Sequence, residues 1–132
     1  MRLIMDQPSF LAASLYVAVG GGLGSWLRYL TGRLIGASAF PSATLSVNIA
    51  GSFVMGLLVG WLAQTGGGSE GWRLLLGVGV LGGFTTFSAF SLDIVTLAQR
   101  GALGLAAFYI VLSLAGGIAG LVAGLALMKA AS

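Results

Sequence analysis

Charged side chains divide this chain into four long apolar intervals. Asp6 and Arg28 enclose 21 uncharged residues, Arg33 and Glu70 enclose 36, Arg73 and Asp93 enclose 19, and Arg100 and Lys129 enclose 28. A helix needs about 20 predominantly apolar residues to cross the hydrocarbon core of a bilayer. Each interval therefore holds one crossing, and the 36-residue one is too short for two helices and a turn. The pattern predicts spans at about 9–32, 43–64, 73–97 and 103–128, a single four-span unit with no room for a second domain. The connections fall at 36–42, 64–71 and 98–101, with Pro41 and a glycine run as breakers in the first two.

Polar residues inside those spans are few, and they fall at particular places. The third interval carries GGFTTFSAFS (82–91) around its midpoint at Gly83. Each glycine lowers helix propensity by about 1 kcal/mol, and Thr85, Thr86 and Ser88 can hydrogen-bond nearby backbone in place of the helix. This predicts a non-helical stretch at 82–86. The competing reading is a continuous helix with its threonines bonded back to the preceding turn. If the stretch is unwound, freed carbonyls concentrate negative charge at one spot, which suits a desolvated hard cation such as Na⁺.

Phe87 and Phe90 lie three apart and share a face if the helix resumes. Ring edges are electropositive and could line a small anion's path without holding it too tightly; simple packing is the plainer account. Thr44 and Asn48 share a face of the second span. The Asn48 amide offers two N–H donors that an anion would seek, or it clasps a neighbouring helix. Tyr109 and Ser113 form a short hydroxyl stripe on the fourth span that stops because position 117 is glycine. Arg28, at the end of the first span, either snorkels to the interface or supplies positive potential to an aqueous vestibule. Asp93 has no transport role in this reading, and Phe84 is left to packing.

Composition removes whole classes of function. The chain is 58% hydrophobic and 7% charged, against about a quarter charged in a soluble domain, so this is an all-helical integral membrane protein. Arg2 and the apolar run after it resemble a signal peptide, but no A-x-A-like site follows, so the segment reads as a retained helix. Cysteine and histidine are absent, which excludes disulfides, thiolate and imidazole metal sites, and the usual general base. The three acids sit toward segment ends and form no pair at membrane depth, so the inventory argues against an enzyme.

Charge also bears on orientation. The end holding the termini and second connection carries Arg2, Arg73 and Lys129; the other carries Arg28, Arg33 and Arg100. Three against three gives no cytoplasmic excess to fix one orientation, unless Arg28 lies too deep to count. Four helices are too few to enclose a selective path and shield broken backbone from lipid. The expectation is therefore an antiparallel homodimer, inserted both ways round. Glycines at four-residue spacing, Gly20 and Gly24, Gly56 and Gly60, and Gly116, Gly120 and Gly124, favour close helix packing.

Three stretches together resemble the CrcB/Fluc family of small fluoride channels. They are Gly20-Gly-Gly-Leu-Gly-Ser-Trp-Leu-Arg-Tyr29, Asn48-Ile-Ala-Gly-Ser-Phe-Val-Met-Gly56 and Gly79-Val-Leu-Gly-Gly-Phe-Thr-Thr-Phe-Ser-Ala-Phe90. The resemblance implies a dual-topology antiparallel homodimer in the cell (inner) membrane, with two fluoride pores and a central structural Na⁺. By position, Asn48 would be the pore amide and Phe87 and Phe90 the lining rings. Tyr109, Ser113 and Thr44 would belong to the polar lining, and Gly82 and Thr85 would offer the Na⁺-binding carbonyls. Two departures are Gly117, where family members can carry a hydroxyl, and Ser25 in place of a common alanine. A small multidrug-type transporter is the rival of similar size, but residues 7–27 lack the intramembrane carboxylate that proton-coupled exchange requires. A structural protein whose glycines and phenylalanines only pack is the other alternative.

Overall fold

The computed structural model describes residues 7–66 and 70–132, which are helix and connecting turns with no strand among them. Arg2 and Asp6, used in the charge argument, and part of the second connection at 67–69 lie outside the described residues. Helix α1 (Phe10–Ile35) opens at Ser9, whose hydroxyl accepts the Ala12 N–H at 3.2 Å, satisfying one of the donors a helix start leaves free. It closes at Gly36, whose φ of +78° suits glycine and whose N–H returns to the Gly32 carbonyl. Pro41 precedes α2 (Ser42–Gln64). Gly101, again at φ +78°, turns the chain into α4 (Leu103–Ala130).

The third crossing, between α2 and α4, is built in pieces. A turn at Glu70–Trp72 leads into a π-helix, π1 (Arg73–Leu81), then a turn of α-helix at Gly82–Phe84. Two extended residues follow, Thr85 at ψ 154° and Thr86 at ψ 121°, before α3 (Phe87–Gln99). All four crossings are long and apolar enough to span a bilayer, and the chain is a multi-pass membrane protein.

The unwound segment is narrower than its sequence suggests. Gly82 and Gly83 are helical, and the break is confined to Thr85 and Thr86. Glycine permits unwinding but supplies no substitute partner for the backbone it frees, and lipid supplies none either. Threonine does supply one. The Thr85 hydroxyl donates to the Leu81 carbonyl at 2.8 Å, and the Thr86 hydroxyl accepts the Ala89 N–H at 3.2 Å as the cap of α3. The nine-residue π-helix before the break had no signature in the hydropathy pattern.

The helices pair out of sequence order: α1 lies along π1 and the turn after it, and α2 lies along α4. Both contacts are glycine-made. A Cβ on Gly24 would collide with the Val80 carbonyl, one on Gly83 with the Gly21 carbonyl, and one on Gly79 would sit 2.9 Å from the Gly20 Cα. Across the other pair, Gly56 meets the Leu121 carbonyl and Gly124 meets the Phe53 carbonyl. All three spaced glycine motifs are thus used inside one chain, where they let backbones touch without a hydrophobic drive. A smaller cluster of Phe90, Leu97, Ala106 and Tyr109 ties α3 to α4.

Candidate functional site

In an unbroken helix the Thr86 N–H would bond the Gly82 carbonyl and the Ala89 N–H the Thr85 carbonyl. Neither does so. The Thr86 N–H donates to Asn48 Oδ1 at 2.8 Å, and the Ala89 N–H is taken by the Thr86 hydroxyl. The carbonyls of Gly82 and Thr85 are therefore left without their helical donors. Between them, the Gly83 carbonyl accepts from Arg28 Nε at 3.1 Å. Arg28 lies two turns inside α1, because that helix continues to Ile35. Its Nε is bonded inward to the break, a contact that neither reading of Arg28 included.

Asn48 meets the break from α2 with both ends of its carboxamide. Besides accepting from the Thr86 N–H, its Nδ2 donates to the Thr86 carbonyl at 3.0 Å. The helix clasp and the free donor are both present, since an amide has two N–H bonds and Thr86 uses one. One turn further on, a Cβ at Gly51 would strike the Thr85 methyl group, so glycine there makes room for the break.

Between α2, the break and α4 lies a groove of about 300 Å³ lined by Asn48, Ser52, Thr86, Phe87, Phe90 and Ser113. The Phe87 and Phe90 rings are 5.8 Å apart and inclined at 51°. They are not equivalent: Phe87 is 77% exposed and Phe90 only 7%. Ser113 Oγ is buried with no hydrogen-bond partner. An orphaned buried hydroxyl costs about 1–3 kcal/mol, and this one belongs to a residue that lines the groove.

Thr44 and Tyr109 do not line this groove. Thr44 lines a second cavity, about 220 Å³, with the 36–42 connection, Asp93, Thr96 and Arg100. Tyr109 is fully buried. Its ring stands edge-on to Phe40 and 5.2 Å from Phe90, and its hydroxyl donates to Asp93 Oδ2 at 2.9 Å. Tyr109 thus links Phe90, which lines the groove, to Phe40 and Asp93, which line the cavity. Asp93, to which the sequence reading gave no role, holds the Tyr109 hydroxyl. A carboxylate sixteen positions from its partner has no local pattern to betray it. Ser52 was missed as well, although it falls one turn after Asn48.

No cluster of three or more His, Cys, Asp or Glu exists among the described residues. The groups at the break that suit a cation are neutral carbonyl oxygens, those of Gly82 and Thr85, and such oxygens favour a hard ion. The donor set fits Na⁺ rather than a transition metal.

Residues 15–125 match the family model described as CrcB-like protein, Camphor Resistance (CrcB). A protein of Novosphingobium aromaticivorans named fluoride-specific ion channel FluC is 53% identical over 124 residues, covering 90% of this chain and 98% of that one. Its namesake in Agrobacterium fabrum is 58% identical over 115 residues, 84% of this chain and 91% of the relative. The one from Rhodopseudomonas palustris strain BisB5 is 53% identical over 120 residues, 88% and 96% respectively.

Proposed function

This chain belongs to the CrcB-like protein family, and from that premise we propose that it is a fluoride-selective channel, not an enzyme. Fluoride would enter the cell as hydrofluoric acid, lose its proton at the higher internal pH and leave passively through this protein. The observation that carries the reading is the meeting of three features in one groove: the spare Asn48 N–H, the orphaned Ser113 hydroxyl and the inclined Phe87–Phe90 pair. A small anion losing its water needs donors, and these are neutral donors with no fixed positive charge to trap it.

The working form is an antiparallel, dual-topology homodimer with two pores in the cell (inner) membrane. Support comes from the break itself. Gly82 is exposed in the single chain, and a carbonyl stripped of its donor cannot face lipid. A second copy covers that surface. The charge balance at the two ends is compatible with insertion either way round. Gly82 and Thr85 would hold the Na⁺, whose bound charge would offset the partial negative charge of carbonyls brought together at the interface.

Purified protein in liposomes, with fluoride efflux followed by electrode, tests the reading. Fast, protein-dependent fluoride loss with chloride retained is expected, and absence of flux overturns it. Labelling of tags at both termini tests dual insertion, and single-sided labelling would refute it. Exhaustive Na⁺ depletion should weaken the dimer or its flux.

A further inference from the structure

The hydroxyl stripe of α4 runs from Tyr109 to Ser113 and ends at Gly117, one turn on. A Cβ at Gly117 would have a single neighbour from other elements within 4 Å, the Ser52 hydroxyl oxygen of α2 at 3.5 Å. A hydroxyl from the second span therefore lies beside the place where the fourth span's stripe would continue. Ser52 lines the same groove as Asn48 and Ser113. We infer that Ser52 is a further anion-contacting residue, which continues the polar lining that Gly117 interrupts. The inference rests on the channel reading of that groove.

The chemistry of Ser52 suits a transient contact. Its hydroxyl donates to the Asn48 carbonyl at 2.7 Å, a bond within its own helix. Rotation about the Cα–Cβ bond exchanges that carbonyl for an ion in the groove, and the exchange is reversible because one hydrogen bond replaces another. A donor already engaged at rest binds less tightly than a free one, and release is what conduction needs. A merely structural Ser52 would act only through its bond to the Asn48 carbonyl, and a hydroxyl placed on α4 could not replace that bond.

That contrast sets the test, in liposomes loaded with fluoride. Ser52→Ala should slow efflux about fivefold, the factor expected for one neutral hydrogen bond expressed in a rate, while the protein elutes as the wild type does. Ser52→Ala combined with Gly117→Ser should recover most of the wild-type rate, since a Cβ at 117 meets only the Ser52 hydroxyl oxygen, at ordinary contact distance, and the alanine removes that atom. Ser52→Thr, which keeps the hydroxyl, should conduct even if the alanine variant assembles poorly. Wild-type flux in Ser52→Ala, or a loss that Gly117→Ser does not repair, overturns the assignment. A wild-type protein that carries no fluoride defeats the channel reading and this inference with it.

Discussion

Asn48 and Thr86, on different helices, hold each other through two hydrogen bonds of 2.8 and 3.0 Å, with the Asn48 carboxamide standing in for the strand that an extended residue would pair with. This replaces helical bonds that Thr86 gave up. Replacing Asn48 by alanine would remove the Asn48 partner of both polar groups of Thr86, costing about 2–6 kcal/mol at about 1–3 per group. A fall in thermal midpoint with loss of fluoride efflux is expected. Asn48→Asp should do the same without any change in volume, because a second oxygen would face the Thr86 carbonyl.

Arg28 completes the accounting of the break through Gly83. Arg28→Met keeps the stem and leaves that carbonyl unpaired. The expected result is faster hydrogen exchange of amides in residues 83–88 and a lower thermal midpoint, with the other helices unchanged. Equal exchange in both proteins would show that the Nε bond carries no weight.

The two phenylalanines should respond in opposite ways. Phe90 is buried against Tyr109, so Phe90→Ala removes core volume and should cost about 3–5 kcal/mol. Phe87 is mostly exposed on the single chain, so Phe87→Ile should leave the thermal midpoint nearly unchanged while suppressing fluoride efflux. Comparable stability losses in the two variants would contradict the asymmetry.

Ser113 offers a case where stability and transport part company. Its buried hydroxyl has no partner, so Ser113→Ala removes an unsatisfied polar group and should keep or raise the thermal midpoint. Fluoride efflux should fall. A destabilised but fully conducting variant would reverse both expectations.

Glycines divide by what surrounds them. Gly24→Ala places a methyl group against the Val80 carbonyl and should impair assembly, whereas Gly22→Ala meets nothing within 4 Å and should be neutral or stabilising by about 0.5–1 kcal/mol. Size-exclusion profiles of the two variants check the difference.

The four crossings were legible because charge and apolar length follow from the bilayer's thickness alone. The site was legible in part. Asn48, Ser113, Phe87 and Phe90 do share a groove, since each sits on a face that spacing defines. The limits of the break were not, because the glycines pointed to flexibility while the threonines decided where backbone partners could be replaced. The charge pattern ends the first span at about 32, and the helix runs to Ile35. The bond from Arg28 to the Gly83 carbonyl was not legible, because a positive charge does not show which acceptor the fold brings to it. Asp93 depended on a tertiary partner, Tyr109, that only packing brings near.

The pairing of α1 with the third crossing and of α2 with α4 bears on how the molecule is made. During synthesis the first two helices emerge with their glycine surfaces bare, and neither is the other's main mate. A nascent chain halted at Gln64 would hold both helices without the partners they pack against in the finished fold. Only when residues beyond Leu103 are threaded in does α2 find its place. The fold's largest helix pairing therefore cannot close until its last span has been made.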